Sequence, residues 1–215
     1  VDGKEIKGVR MEIGVCVSQD GAHWSRVEGP NPFGSILEPG SPTDFDGQLV
    51  GWPSVLERGD STYNMYYSTY SPQDKRFMIG LARGPDGMRY SKVRKVFDGG
   101  PAGDFDSMGA SRRYITRDPV EGRSMFKMWY EAVSTEGVHS IGLATSVDGE
   151  VWKRVSSDPV FSRSSSADAW DSGGVGSPHL LWLEDKRRWR MYYVGSAVDQ
   201  DGKFRIGVAE STDEE

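Results

Sequence analysis

The stretch IGLATSVDGEVWKRV at 141–155 has three echoes in the same chain: IGVCVSQDGAHWSRV at 13–27, MIGLARGPDGMRYSKV at 78–93 and a shortened RIGVAESTDEE at 205–215. Their aligned aspartates, Asp20, Asp86, Asp148 and Asp213, are spaced by 66, 62 and 65 residues. A recurrence of this length marks one supersecondary unit repeated in a radial or stacked array, because a single unit cannot bury its apolar face alone. Within the phrase, one short apolar run meets another across Asp148-Gly149. That pairing predicts a β-hairpin closed by a type I′ turn, which needs φ > 0 at both central residues.

Outward from the phrase, each period parses into four strands. In the last copy these begin with VGSPHLLWLE (175–184), RWRMYYVGS (188–196) and FRIGVAES (204–211). In the second, Trp189, Met191 and Tyr193 alternate with Arg190 and Tyr192, the period-2 pattern of a half-buried strand. The sister copies read VGWPSVLER, TYNMYYSTY, FMIGLAR and RYSKV, then GASRRYITR, SMFKMWYEAV, VHSIGLATS and VWKRV. A four-stranded antiparallel unit repeated about an axis is a β-propeller blade, so the expected class is all-β. The first copy supplies a third strand and its hairpin partner, and the last supplies three strands, which makes thirteen in all. We therefore expect one domain, a portion of a propeller with blade parts at 1–30, 45–95, 105–156 and 170–215. Further chain, or a protein partner, would complete the ring. The triplets Met65/Met128/Met191 and Tyr67/Tyr130/Tyr193 recur once per unit and read as packing between blades.

Composition agrees. Glycine is 27 of 215 residues, about 13% against ~7% on average, as many tight turns require. Seven Trp, nine Tyr and eight Phe favour pleated sheet. No sustained 3.6-residue apolar period occurs, so almost no helix is expected. The net charge of −6 is spread among interspersed acids and bases, which argues against a nucleic-acid footprint. No apolar stretch approaches the ~18 residues of a membrane span, and no signal-peptide pattern opens the chain. Val1 in place of Met reads as a processed or trimmed polypeptide. Cys16 is the single cysteine and takes the slot held by Ala82, Ala144 and Ala209, which predicts a small buried side chain. That thiol economy fits a cytosolic or organellar compartment.

The run WDSGGVGSPHLLWLEDKRRWRMYYVGS at 170–196, with FRIGVAES after it and the IGLATSVDGEVWKRV phrase before it, resembles the five-bladed propeller superfamily of arabinanases, β-xylosidases, invertases and levansucrases. It is most similar to the glycosyl-hydrolase-like members of plants, algae and bacteria, many of undefined activity. The resemblance covers the chain from about Glu12 to Ser211. The SxDGxxW hairpin is also similar to the Asp-box of sialidases, which carries one more residue between Asp and Gly.

The resemblance implies carboxylates projecting into a central channel, one protonating the leaving oxygen and another acting as base or nucleophile. It places them near the starts of innermost strands, just before a proline. The matching positions here are Trp52, Arg112 and Ser177, none a carboxylate, and Arg113 stands in one proline slot. The triplet Arg117-Asp118-Pro119 spells an invertase motif but falls level with the turns Arg58-Gly59-Asp60 and Glu184-Asp185-Lys186, where Asp-Pro is ordinary turn chemistry. Asp46, Asp106 and Asp171 recur once per blade and read as caps on the backbone of the entry loop.

Function is expected where the copies differ. The substrate-binding candidates are Trp52, Arg112, Arg113, Ser177 and His179: Arg forks onto anionic oxygens and an aromatic face stacks on a sugar ring. Glu131 replaces Ser68 and Val194 of the sister blades and is the one candidate catalytic acid; strand alternation equally allows it a structural place between blades. His23 and His139 lack metal-ligand spacing, so no metal is expected. The stretches DGGPAGDF and DSGGVGS lack the Lys-Ser/Thr and helix of a phosphate loop, and no cofactor is expected. Two functions fit: a glycoside-hydrolase-like propeller acting on or binding a glycan or other small polar ligand, and a catalytically inactive propeller serving as a binding or scaffold module.

Overall fold

The computed structural model describes residues 10–117, 125–198 and 203–211, which form thirteen strands and no helix. They fall into two compact units, Val1–Asp98 and Gly99–Glu215. In the first, β1 (Val15–Val17) pairs with β2 (Ser25–Val27), and β3 (Gly51–Glu57), β4 (Tyr63–Ser71), β5 (Arg76–Gly84) and β6 (Ser91–Phe97) form a four-stranded sheet. In the second, β7 (Ala110–Arg117), β8 (Phe126–Val133), β9 (His139–Ser146) and β10 (Lys153–Arg154) form another. A three-stranded sheet follows: β11 (Gly174–Leu183), β12 (Arg188–Ser196) and β13 (Phe204–Glu210). Neighbours are antiparallel throughout and sequential, as in propeller blades. Sheets of two, four, four and three strands reproduce the strand parsing of the sequence. Within the second unit β11 packs against β7, β8 and β9, so one blade lies on the next.

A shared device explains much of the repeat. Tyr67, Tyr130 and Tyr193 stand in register with Gly80, Gly142 and Gly207 of the next strand. Each ring lies across its glycine so closely that an added Cβ would meet the phenol carbon at 2.2, 2.3 and 2.6 Å. The hydroxyls then donate to Asp46 (2.7 Å), Asp106 (2.9 Å) and Asp171 (3.0 Å). Phe105 and Trp170, each preceding its aspartate, stack on Tyr130 and Tyr193. The Ile-Gly pair of the repeat is thus a vacancy for a tyrosine. Burial, then the facing aspartate, raises all three phenols, Tyr193 to about 12. The aspartates are buried as expected of a structural residue, but among the described residues tyrosine hydroxyls and the cations Lys92 and Arg154 hold Asp46 and Asp106, not backbone amides. The methionines Met65, Met128 and Met191 face Ala82, Ala144 and Ala209 across the same strands.

Three local expectations differ. The Asp-Gly hairpin forms, but Gly21, Gly87 and Gly149 alone take φ of +74° while their aspartates do not, so the turn is not type I′. The connection runs over seven residues instead, between the register pairs Val17↔Ser25 and Thr145↔Lys153. The aspartate organises it: Asp148 Oδ1 accepts the amides of Glu150 and Val151 at 2.8 Å, Ser146 Oγ accepts that of Gly149, and Trp152 Nε1 donates to the Gly149 carbonyl. Secondly, β1 is shorter than RMEIGVCVS, since Ile13 bridges to Leu37 instead of continuing the ladder. Thirdly, Cys16 is exposed, whereas Ala82 and Ala144 are fully buried, because Cys16 pairs on one side only, with Arg26. Asp118, Pro119 and Asp213 lie outside the described residues.

Candidate functional site

The innermost strands begin irregularly. Each carries one extra residue against its neighbour, between Gly51 and Ser54, Ala110 and Arg113, and Gly176 and His179. Such a bulge re-aims side chains and is common beside functional sites. In two of the three it holds a non-glycine residue in the left-handed region, Trp52 at φ 48° and Ser177 at φ 50°. Both precede a proline. In the second blade, with Arg113 in that slot, neither Arg112 nor Arg113 adopts positive φ.

Glu131 is the centre of the cluster in the second unit. It sits in β8 opposite Ile141, and its side chain, 4% exposed, reaches the start of β11. There Oε2 accepts the Ser177 amide at 2.8 Å and the Ser177 hydroxyl at 3.3 Å. Arg112 Nη1 approaches the same oxygen at 3.4 Å, and His139 Nδ1 donates to Oε1 at 2.9 Å. Gly176 makes room, since a Cβ there would come within 2.4 Å of Oε2. Burial pushes the Glu131 pKa upward, but the His139 hydrogen bond, the Arg112 and His139 charges and the Ser177 amide outweigh it and hold it below the ordinary value. At neutral pH Glu131 is an ionised acceptor with both oxygens occupied.

Of the residues singled out from sequence, Arg112, Glu131 and Ser177 therefore come together. His179 is exposed on β11, its ring 4.9 Å from that of Tyr114 and nearly edge-on. Arg113 is half-buried, and desolvation lowers its guanidinium to about 9. Trp52 belongs to the first unit, 41% exposed on its own innermost strand. The partner missed by the sequence reading is His139. It opens β9 opposite Val133, two residues past Glu131, so the β8–β9 hairpin makes the two diagonal neighbours. The signal was the Ser134–Gly137 turn, closed by an amide-to-carbonyl bond of 2.9 Å. Among the described residues no three His, Cys, Asp or Glu side chains group closely enough to hold a metal ion. Nor is any helix among them long and apolar enough to cross a membrane.

No family model matches the sequence, and no curated protein does. Solved structures do. A protein described as a glycoside hydrolase is 19% identical with a TM-score of 0.67, over 92% of this chain and 61% of its own. A β-1,2-mannobiose phosphorylase from Listeria innocua, in complex with β-1,2-mannobiose, is 17% identical with a TM-score of 0.66, over 93% and 49%. A family 117 glycoside hydrolase from the marine bacterium Zobellia galactanivorans is 14% identical with a TM-score of 0.65, over 92% and 52%. This chain has the fold of the propeller-type glycoside hydrolases. It spans about six-tenths of the length of the first structures it matches. At these identities the likeness is one of fold, and activity has to be argued from the site.

Proposed function

We propose that this chain is a portion of a carbohydrate-active propeller and that the starts of its innermost strands bind a glycan. The observation that carries the reading is the Glu131 cluster, in which a buried carboxylate fixes a solvent-facing arginine beside a bulged strand start. Arg112, with its side chain 46% exposed, supplies donors for sugar oxygens, and His179 adds a second polar contact. Trp52 offers an aromatic face at the equivalent place in its own blade. Neighbours of the same fold that act on or hold glycans support this class of ligand.

Within this portion Glu131 acts as a positioning residue and not as the acid of glycoside cleavage. A general acid needs a raised pKa and a proton to give, whereas Glu131 is held ionised, buried and fully occupied. Hydrolysis by the whole protein would draw on carboxylates outside this chain. The second reading is a module that binds without turnover, and it is favoured by Trp52, Arg112 and Ser177 at the positions where the resemblance places acids. A glycan array with the 215-residue chain, followed by titration of the best hit, tests the proposal. Arg112→Ala is expected to weaken binding about tenfold, the loss of one charge-assisted contact. Arrays blank for every glycan, or binding indifferent to Arg112→Ala, would remove it. Release of reducing sugar by this chain alone, lost in Glu131→Gln, would overturn the positioning role.

A further inference from the structure

A concavity of about 260 Å³ is lined by His139 but not by Glu131. Its walls include Phe105 and Pro159, and its polar groups are Ser134, His139, Ser140, Ser162 and Arg163, all in the second unit. Three of these are under-used. Ser140 is 5% exposed, and its hydroxyl, which makes no hydrogen bond among the described residues, keeps its access to solvent from the cleft. His139 gives Nδ1 to Glu131, and its other ring nitrogen, Nε2, has no partner among them. Arg163 donates from one Nη to the Ser172 carbonyl at 3.0 Å and meets no described carboxylate, so most of its fork is uncommitted.

We propose that this cleft is a subsite for one sugar ring bearing a carboxylate, a hexuronate. Its size lies below the roughly 300–1,000 Å³ of drug-sized ligand sites, which suits a single ring. The carboxylate lies on the Arg163 fork, where planar bidentate geometry favours it over a neutral hydroxyl. Ring hydroxyls meet Ser140 and His139 Nε2. With Nδ1 given to Glu131, Nε2 is the ring nitrogen left to meet a sugar hydroxyl. The C–H face of the ring runs along Phe105 and Pro159. His139 joins this subsite to the Glu131 cluster through opposite ring nitrogens. The choice of a sugar rests on the proposed glycan binding; the choice of an acidic one rests on Arg163.

The test titrates the 215-residue chain with D-glucuronate, D-glucose and acetate while amide NMR signals are followed. Glucuronate should shift signals at 134–140 and 160–163 and bind at least about tenfold more tightly than glucose, the worth of one charge-assisted pair. Arg163→Ala and Ser140→Ala should each weaken it, with unchanged circular dichroism showing that the fold persists. Equal binding of glucose, indifference to Arg163→Ala, acetate as tight as glucuronate, or no shift with any of the three overturns the subsite. If array glycans still bind in an Arg112-dependent way, the proposed function stands while the subsite falls; if both are lost, both fall.

Discussion

At the residue scale, Glu131 shows how one unrepeated side chain organises others. Its carboxylate ties together strand starts that are distant in sequence, and the ionised form is the one that all three partners favour. The sign of its pH dependence follows. A carboxyl whose pKa is depressed in the folded state stabilises the protein above its unfolded value, near 4.5, and loses that contribution as pH falls through the folded pKa. Thermal melts from pH 7 downward should show stability declining below about pH 4.5, with a shallower decline in Glu131→Gln. At pH 7 the same variant should lose about 1 kcal/mol, because Gln still accepts from Ser177 while Arg112 and His139 remain hydrated. Identical acid profiles for the two proteins would contradict this account.

At the element scale, the blade is held by a tyrosine laid over a glycine and anchored on an aspartate. Only a residue without a Cβ fits under the ring, since the gap at Gly142 would be 2.3 Å. Gly142→Ala should therefore cost about 3 kcal/mol in chemical denaturation, through displacement of a fully buried Tyr130. Gly14 is the matching glycine of the first copy, and a Cβ there meets nothing within 4 Å. Gly14→Ala should change stability by less than about 0.5 kcal/mol. Equal effects at the two glycines would show that the ring contact is not what the repeat preserves. The seven-residue Asp loop is the other element-scale feature. Its aspartate accepts two amides and its serine two more, which explains why Ser, Asp, Gly and Trp recur together in two copies.

At the scale of the whole molecule, the three-stranded sheet stands apart. Phe204, Ile206 and Val208 alternate along β13 and are 73%, 79% and 58% exposed, while the equivalent strands β5 and β9 are largely buried and pair on both sides. An apolar strand that pairs on one side only among the described residues is a template for association. The 215-residue chain should self-associate with rising concentration in analytical ultracentrifugation, and Ile206→Lys should shift it toward monomer. A wild-type chain monomeric at every concentration, or an unchanged profile in the variant, would argue that the edge is inert.

Strand number, antiparallel order and the all-β class followed from the sequence because they are local: period-2 alternation, turn residues and a repeat length need no knowledge of what packs where. The repeat also separated Asp46, Asp106 and Asp171 from the unrepeated Glu131. What the aspartates hold, and why the glycines recur, depended on a ring crossing from one strand to the next, a contact with no signature in spacing alone. The turn type was misread because Asp-Gly leaves loop length open, and seven residues let the aspartate side chain do what positive φ would have done. His139 stayed hidden as the partner of Glu131, and Cys16 appeared buried, because sequence gives the slot and not its neighbours. The repeated phrase at 141–155 thus determined the architecture through local chemistry. Only the tertiary structure decided which side chains meet, since Glu131, Arg112, His139 and Ser177 converge through the packing of β11 on β7, β8 and β9.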